Sequence, residues 1–317
     1  MVTYNGGRLG DSFVNVNVDF KKILIPVDFS EHSQFAAQQA LSFAGVCRAE
    51  ACFLHVGETA KQSAARLCQF VKDLQYDTAL PIKRFVAQGT PDNVILSTAQ
   101  KLDADAILMG HRGLSGLKHM MNGSVAEKVL REAACPVMVI KKQKAKKFGA
   151  YVLPQLRNIA GAFQADKILV PVDFSPASKQ AFHYAVHLAS CYNSTIYTLT
   201  VFDKKYKELG EDRKKHTAVI VHGRKIQLWK AFPDLLKSTP GYSHEQTRVK
   251  RILLDGDPFS KIESLVTKKE IDIVIMGTNG RTGLEHFLIG SVAEKAIRSI
   301  QCPVMTIRGR REALYIR

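Results

Sequence analysis

The residues of this chain best suited to chemistry are two sets of glycines with matching spacing. The segment MGHRGLSGLKHMMNGSVAEK holds Gly110, Gly113 and Gly123 followed by Ser124, with two residues inside the first gap and nine inside the second. Gly277, Gly280, Gly290 and Ser291 repeat that spacing. A glycine backbone takes positive φ freely and brings its N–H to an anion with no Cβ in the way. Ser124 and Ser291 each open a helical pattern, and the free N–H groups and positive dipole end of a helix start favour phosphate. The chemistry implied is the binding of a phosphate-bearing ligand. The serines also form capping boxes with Glu127 and Glu294, which would contribute about 0.5–2 kcal/mol to any helix and do not exclude phosphate contact. No GxxxxGK[ST] loop is present, and no GxGxxG follows the first strand of either set.

The elements that must position these loops are themselves repeated. ILIPVDFS at 23–30 returns as ILVPVDFS at 168–175, an offset of 145, whereas GSVAEK at 123–128 and CPVM at 135–138 return at 290–295 and 302–305, an offset of 167. LHV (54–56) matches LTV (199–201) at the smaller offset, and Gly89 and Pro91 match Gly256 and Pro258 at the larger. The second copy has therefore gained 22 residues, the difference of the two offsets, within about 203–246. In each copy short apolar runs (ILIPV, ACFLHV, IKRFVA, DAILMG, PVMVI) alternate with helical patterns. This is the signature of a parallel sheet covered on both faces. The fold class expected is α/β, with two tandem open parallel five-stranded sheets and helices on both faces. Leu67, Val71 and Leu74 read as a core stripe on one helix, as do Ile226, Trp229, Phe232 and Leu236 on its counterpart. Ser175 and Pro176 read as an N-cap and first-turn pair. The expected organisation is a tail (1–19), a first domain (20–143), a linker (144–163), a second domain (164–309) and a second tail (310–317).

Composition narrows the function classes. No stretch approaches the roughly 18 consecutive apolar residues of a membrane span, and the first twenty residues lack the pattern of a signal peptide. No membrane association and a cytoplasmic location are expected. The six cysteines form no CxxC pair and read as buried free thiols. The net charge of +16 fits an anionic partner, but much of it sits in Lys141 to Lys147, Lys204 to Lys215 and Arg308 to Arg311. These read as a linker, an insertion and a terminus, and no aromatic platforms interleave with the charge. Nucleic acid is therefore not the partner expected.

Strand-PVD-x-S at the start, the G-x2-G-x9-G-[ST] loop and a final CPV strand resemble the universal stress protein family, over about residues 20–143 and 164–309. The resemblance implies a Rossmann-like, adenine nucleotide alpha hydrolase-like fold and an adenine nucleotide as ligand: ATP, or ADP or AMP, with Mg²⁺ as an accompanying ion held largely by phosphate and water. It implies that Asp28 and Asp173, with Pro26, Val27, Pro171 and Val172 on the same strand ends, sit beside the adenosine. The backbone of Val56 and Val201 would recognise adenine, and Met109 and Met276 would line the nucleoside pocket. Gly110, Gly113, Gly123 and Ser124, with Gly277, Gly280, Gly290 and Ser291, would hold ribose and phosphates, Val125 and Val292 following the serines. Arg112 and Asn279 stand where many family members carry His, and Arg281 has Leu114 as its counterpart, so the two sites are expected to differ in phosphate affinity. A strand-end Asp also caps loops, and Val or Met at such positions also serves as plain core.

No positioned base or nucleophile can be named, so no catalytic residue is assigned. The function expected is that of a nucleotide-dependent sensor or regulator in stress response. A slow ATPase or autophosphorylating protein, with Ser124 or Ser291 near phosphate, is the enzyme alternative. A nucleic-acid binder using the basic segments is the third reading. The resemblance further implies pairing of domains through PVMVI (136–140) and PVMTI (303–307), as an intramolecular pseudo-dimer with a further homodimer left open.

Overall fold

The computed structural model describes residues 19–57, 60–74, 79–111, 124–141, 163–202, 231–243, 245, 247–278 and 289–308. The first half runs β1 (Lys22–Val27), α1 (Glu31–Cys47), β2 (Glu50–Val56), α2 (Ala60–Asp73), β3 (Ile82–Ala87), α3 (Pro91–Leu102), β4 (Ala106–Gly110), α4 (Ser124–Glu132) and β5 (Val137–Ile140). The second runs β6 (Lys167–Pro171), α5 (Pro176–Tyr192), β7 (Thr195–Phe202), β8 (Arg248–Asp255), α6 (Pro258–Lys269), β9 (Ile273–Gly277), α7 (Ser291–Ser299) and β10 (Val304–Ile307), with a further helical stretch over 231–237.

The expected strands form, and they form one sheet. Its order is β3-β2-β1-β4-β5-β10-β9-β6-β7-β8, so two five-stranded halves of the same topology abut at β5 and β10. Pairing is parallel inside each half. The junction is antiparallel, with Val304 opposite Val139 and Met305 opposite Met138. Lys141 Nζ donates to the carbonyls of Arg298 (2.8 Å) and Ile300 (2.6 Å), at the end of α7. Arg308 does the reverse, reaching the Arg131 carbonyl at the end of α4 (3.3 Å). Each cation thus satisfies carbonyls at the negative end of the other half's last helix.

Strand interiors are buried because helices cover both faces. One core packs α1, α2 and α5 on the sheet through residues such as Ile25, Phe43, Phe182 and Ile275, all at most 1 % exposed. The other packs α3, α4, α6 and α7 around Leu24, Ile107, Leu169 and Val274, each fully buried. Leu67, Val71 and Leu74 join the first core as a stripe, and so do Phe232 and Leu236. Ile226 and Trp229 lie outside the described residues.

Local chemistry sets the helix starts. Ser30 and Ser175 are N-caps whose hydroxyls accept from Ser33 N and Ser178 N. The expected capping box at Ser291 does not form. Gly290 is the N-cap, it makes no side-chain cap bond, and Ser291 is already the first helical residue. From that position its hydroxyl is not the capping group, and Glu294 pairs with Arg298 at 2.9 Å instead.

Candidate functional site

The strand order reverses direction between β1 and β4 in the first half and between β6 and β9 in the second. Open α/β sheets bind ligands outside the carboxyl ends of the strands at such switch points. In the second half a cleft of about 230 Å³ lies there. Its floor comes from the ends of β6 (Pro171, Val172, Asp173), β7 (Leu199, Val201) and β9 (Met276, Gly277). Its rim comes from the starts of α5 (Ser175, Ser178), α6 (Pro258, Ile262) and α7 (Gly290, Ser291, Val292, Ala293), with Thr278 between.

The cleft exists because two glycines let backbone approach closely. A Cβ on Gly277 would meet Ala177 Cβ at 2.7 Å and the Ala177 carbonyl carbon at 2.9 Å, so the start of α5 rests directly on the end of β9. Gly290 N donates to Thr278 O at 2.7 Å, and a Cβ on Gly290 would sit 3.0 Å from that oxygen. This brings the start of α7 back against the end of β9, across the segment 279–288.

Three helix N-termini therefore converge on one opening. Two have side-chain caps: Ser175 on α5, and Asp257 on α6, whose carboxylate accepts from Ser260 N and Oγ, each at 2.8 Å. Those bonds hold the Asp257 carboxyl below its ordinary pKa. The start of α7 has no side-chain cap, so its first-turn N–H groups and positive dipole end face the cleft.

Both halves repeat an unusual turn after the first strand. Asp28 Oδ1 accepts from Ser30 N (3.0 Å) and Ser30 Oγ (2.6 Å), and Asp173 Oδ1 accepts from Ser175 N and Oγ at the same distances. The loop-capping role open to a strand-end Asp is therefore filled in both. Between Asp and Ser, Phe29 and Phe174 are left-handed, with φ of 63° and 65°. Non-glycine residues held there cost about 1–3 kcal/mol and cluster where backbone is constrained for function. Behind this turn the copies diverge. His55 Nδ1 lies 2.9 Å from Val27 O, whereas Thr200 Oγ1 donates to Val172 O at 2.9 Å. The His55 ring stacks on Phe29, centroids 4.1 Å apart, and the Arg66 guanidinium lies 4.5 Å from the same Phe29 ring centroid.

Among the residues singled out from sequence, Pro171, Val172, Asp173, Val201, Met276, Gly277, Gly290, Ser291 and Val292 are brought together by the second cleft. Asn279 and Gly280 lie outside the described residues. In the first half Pro26, Val27 and Asp28 end β1, Met109 and Gly110 end the adjacent β4, Val56 ends β2, and Ser124 and Val125 open α4. Arg112, Gly113 and Gly123 lie outside the described residues. Sequence reasoning missed Ser178, Pro258, Ile262 and Thr278. The paired Gly89/Pro91 and Gly256/Pro258 were a signal for Pro258, read only as markers of the repeat. Among the described residues, no His, Cys, Asp and Glu cluster suited to a metal ion occurs, and no helix is long and apolar enough to cross a membrane.

Comparison with known proteins gives the lineage. The model of the universal stress protein family matches residues 19–68, 57–141 and 164–308. Universal stress protein MJ0531 of Methanocaldococcus jannaschii is 34% identical over 142 residues, 45% of this chain and 81% of that protein. Universal stress protein Rv2005c of Mycobacterium tuberculosis is 26% identical over 238 residues, 73% of this chain and 70% of that protein. The crystal structure of a universal stress protein from Archaeoglobus fulgidus superposes with a TM-score of 0.61 at 20% identity, covering 91% of this chain and 98% of that one, a likeness of fold. With matches in both halves that together span most of its length, the chain belongs to the universal stress protein family.

Proposed function

We propose that each half binds an adenine nucleotide, ATP or its ADP and AMP forms, and that the chain acts as a nucleotide-dependent regulator in stress response. The observation that carries this reading is the uncapped start of α7 opening into the cleft at the switch point between β6 and β9. Phosphate is the ligand chemistry that such a helix end satisfies best. The fit is supported by Gly277 and Gly290, whose missing side chains let the starts of α5 and α7 close on the end of β9 and so shape the cleft.

In this reading Gly290, Ser291 and Val292, with Asn279 and Gly280, hold the phosphates. Val201 backbone and Met276 meet the base and nucleoside, and Pro171, Val172 and Asp173 border the ribose. Pro26, Val27, Asp28, Val56, Met109, Gly110, Arg112, Gly113, Gly123, Ser124 and Val125 take the same parts in the first half. Mg²⁺, where it accompanies ATP, is held by phosphate oxygens and water. Binding rather than turnover is the output: the Asp173 carboxylate and the Ser175 hydroxyl stand beside one another in the second cleft, but both are engaged in the turn that caps α5. Location in the cytoplasm completes the proposal.

Calorimetric titration of the full chain with ATP, AMP and cyclic AMP tests it. Two sites are expected, one lost with Gly123→Val and the other with Gly290→Val; no binding by the unaltered chain would sink the reading.

A further inference from the structure

Away from both switch points, the two halves also meet through α1 and α5. This seam is aromatic: Phe20 of the first half packs on Tyr184 and His187 of the second, with centroids 5.7 and 5.6 Å apart, and Phe43 packs on Phe163 at 5.5 Å. Cys47, the last residue of α1, and Cys191, near the end of α5, lie in this seam as neighbours whose thiols interact, both partly buried.

The groups around the pair sort the two sulfurs. His187 Nε2 lies 3.9 Å from Cys191 Sγ, and His187 Nδ1 lies 4.0 Å from Asp19 Oδ1, so an imidazole stands between a thiol and a carboxylate. Cys191 is lowered, first by the hydrogen bond from Cys47 and then by His187 and Ser190. Cys47 is pushed well above its ordinary value by the same thiol contact and by burial. With the imidazole of His187 beside it, Cys191 is the sulfur placed to act as nucleophile. The Tyr192 hydroxyl nearby is buried with no hydrogen-bond partner, and burial raises its pKa. Elsewhere burial pushes Cys52 up to about 11 and Cys135 to about 12, which makes them poor nucleophiles.

We propose that Cys47 and Cys191 are a reversible modification site, a dithiol that hydrogen peroxide oxidises to a disulfide joining α1 of one half to α5 of the other. The Cys191 thiolate attacks a peroxide oxygen, the O–O bond breaks, and the leaving hydroxide takes up a proton and departs as water. Cys191 is then a sulfenic acid. The Cys47 sulfur attacks it, the S–O bond breaks, the Cys47 proton leaves with the hydroxyl as a second water, and the S–S bond forms. Two electrons pass from the sulfurs to the peroxide. His187 is a positioning residue that holds Cys191 as thiolate.

The test treats the full chain with one equivalent of hydrogen peroxide at neutral pH, counts free thiols after denaturation and maps peptides without reduction. The expected result is a fall from six free thiols to four, with one linked pair containing Cys47 and Cys191 that dithiothreitol releases. In Cys47→Ser, Cys191 accumulates as a sulfenic acid trapped by dimedone; in Cys191→Ser, Cys47 stays unlabelled. Six thiols remaining in the unaltered chain, or a linked pair of other cysteines, overturns the proposal. Dimedone labelling of Cys47 in Cys191→Ser would overturn the assignment of the attacking sulfur.

Discussion

Replacing Ser291 with glutamate separates the stability of α7 from its affinity for an anion. Ser291 is exposed, occupies the first helical turn and follows an N-cap with no side-chain bond, so the new carboxylate displaces no hydrogen bond described there. Toward the helix the charge is favourable, contributing about 0.3–1 kcal/mol through the positive end of the dipole. Toward a bound phosphate it is unfavourable. Two unit charges about 5 Å apart repel by about 1–3 kcal/mol for an effective dielectric between those of bulk water and a protein surface. That weakens binding at this site by about 5- to 150-fold. Thermal unfolding and calorimetric ATP titration on the same preparation should thus move in opposite directions, with Tm rising slightly and affinity falling. The affinity loss should shrink between low and high salt, as the Debye length drops from about 30 Å at 0.01 M to about 3 Å at 1 M. Ser291→Gln, which carries the bulk without the charge, should change neither by much. If Ser291→Glu raises Tm and leaves both nucleotide affinities intact at low salt, phosphate does not meet α7 and the reasoning fails.

Gly277→Ala should destabilise the chain by about 1–3 kcal/mol, because its Cβ must displace Ala177 at the start of α5; an unchanged urea midpoint would show that contact to be soft. Asp92 is held below its ordinary value of 3.8, first by the hydrogen bond from Lys128. Its stabilising contribution is present above that value and lost as pH falls through the lower folded one. Asp92→Asn should accordingly flatten the fall of Tm on the acid side of about pH 4, and an identical acid limb in both proteins would show that the pair between α3 and α4 contributes nothing.

Where the signal was local, the sequence was readable. Apolar runs such as ILIPV and DAILMG had to be strands buried on both faces, and Ser30 and the Ser175-Pro176 pair announced their helices. The β5–β10 junction was reached only through the family resemblance, not from the local pattern of either strand. The Ser291 capping box failed by one residue: the same Ser-x-x-Glu spacing reads identically whether Ser is N-cap or first helical residue, and the close contact of Gly290 with Thr278 decides it. Helix ends were harder. Arg48, Asp103 and Glu270 take the left-handed C-cap conformation without glycine or asparagine, so the usual stop signal is missing there, while Asn193 supplies it on α5. The remaining features arise from sheet order rather than chain order. Ser178, Ile262 and Thr278 reach one cleft from three elements, and Cys47 meets Cys191 only because two copies of one helix pack across the seam. The six cysteines read from sequence as buried free thiols, yet only Cys52 and Cys302 are fully buried, and sequence spacing carries no sign of the Cys47–Cys191 neighbour pair.

The antiparallel junction of β5 and β10 carries a consequence for how this protein can evolve and be controlled. Two separate chains meeting through such strands would part on dilution and would carry every substitution twice. Here the association is covalently guaranteed at any concentration, and a change in one half need not appear in the other. The His55 and Thr200 pair already shows that freedom, with one backbone carbonyl met by an imidazole in one half and by a hydroxyl in the other. Among the described residues the junction leaves β3 and β8 at the margins of the sheet, and both carry cations, Lys83 and Arg84 on one and Arg248, Lys250 and Arg251 on the other. Cations on both margins disfavour strand-to-strand growth at those edges, so the duplication that joined the two halves set the size of the sheet within one chain.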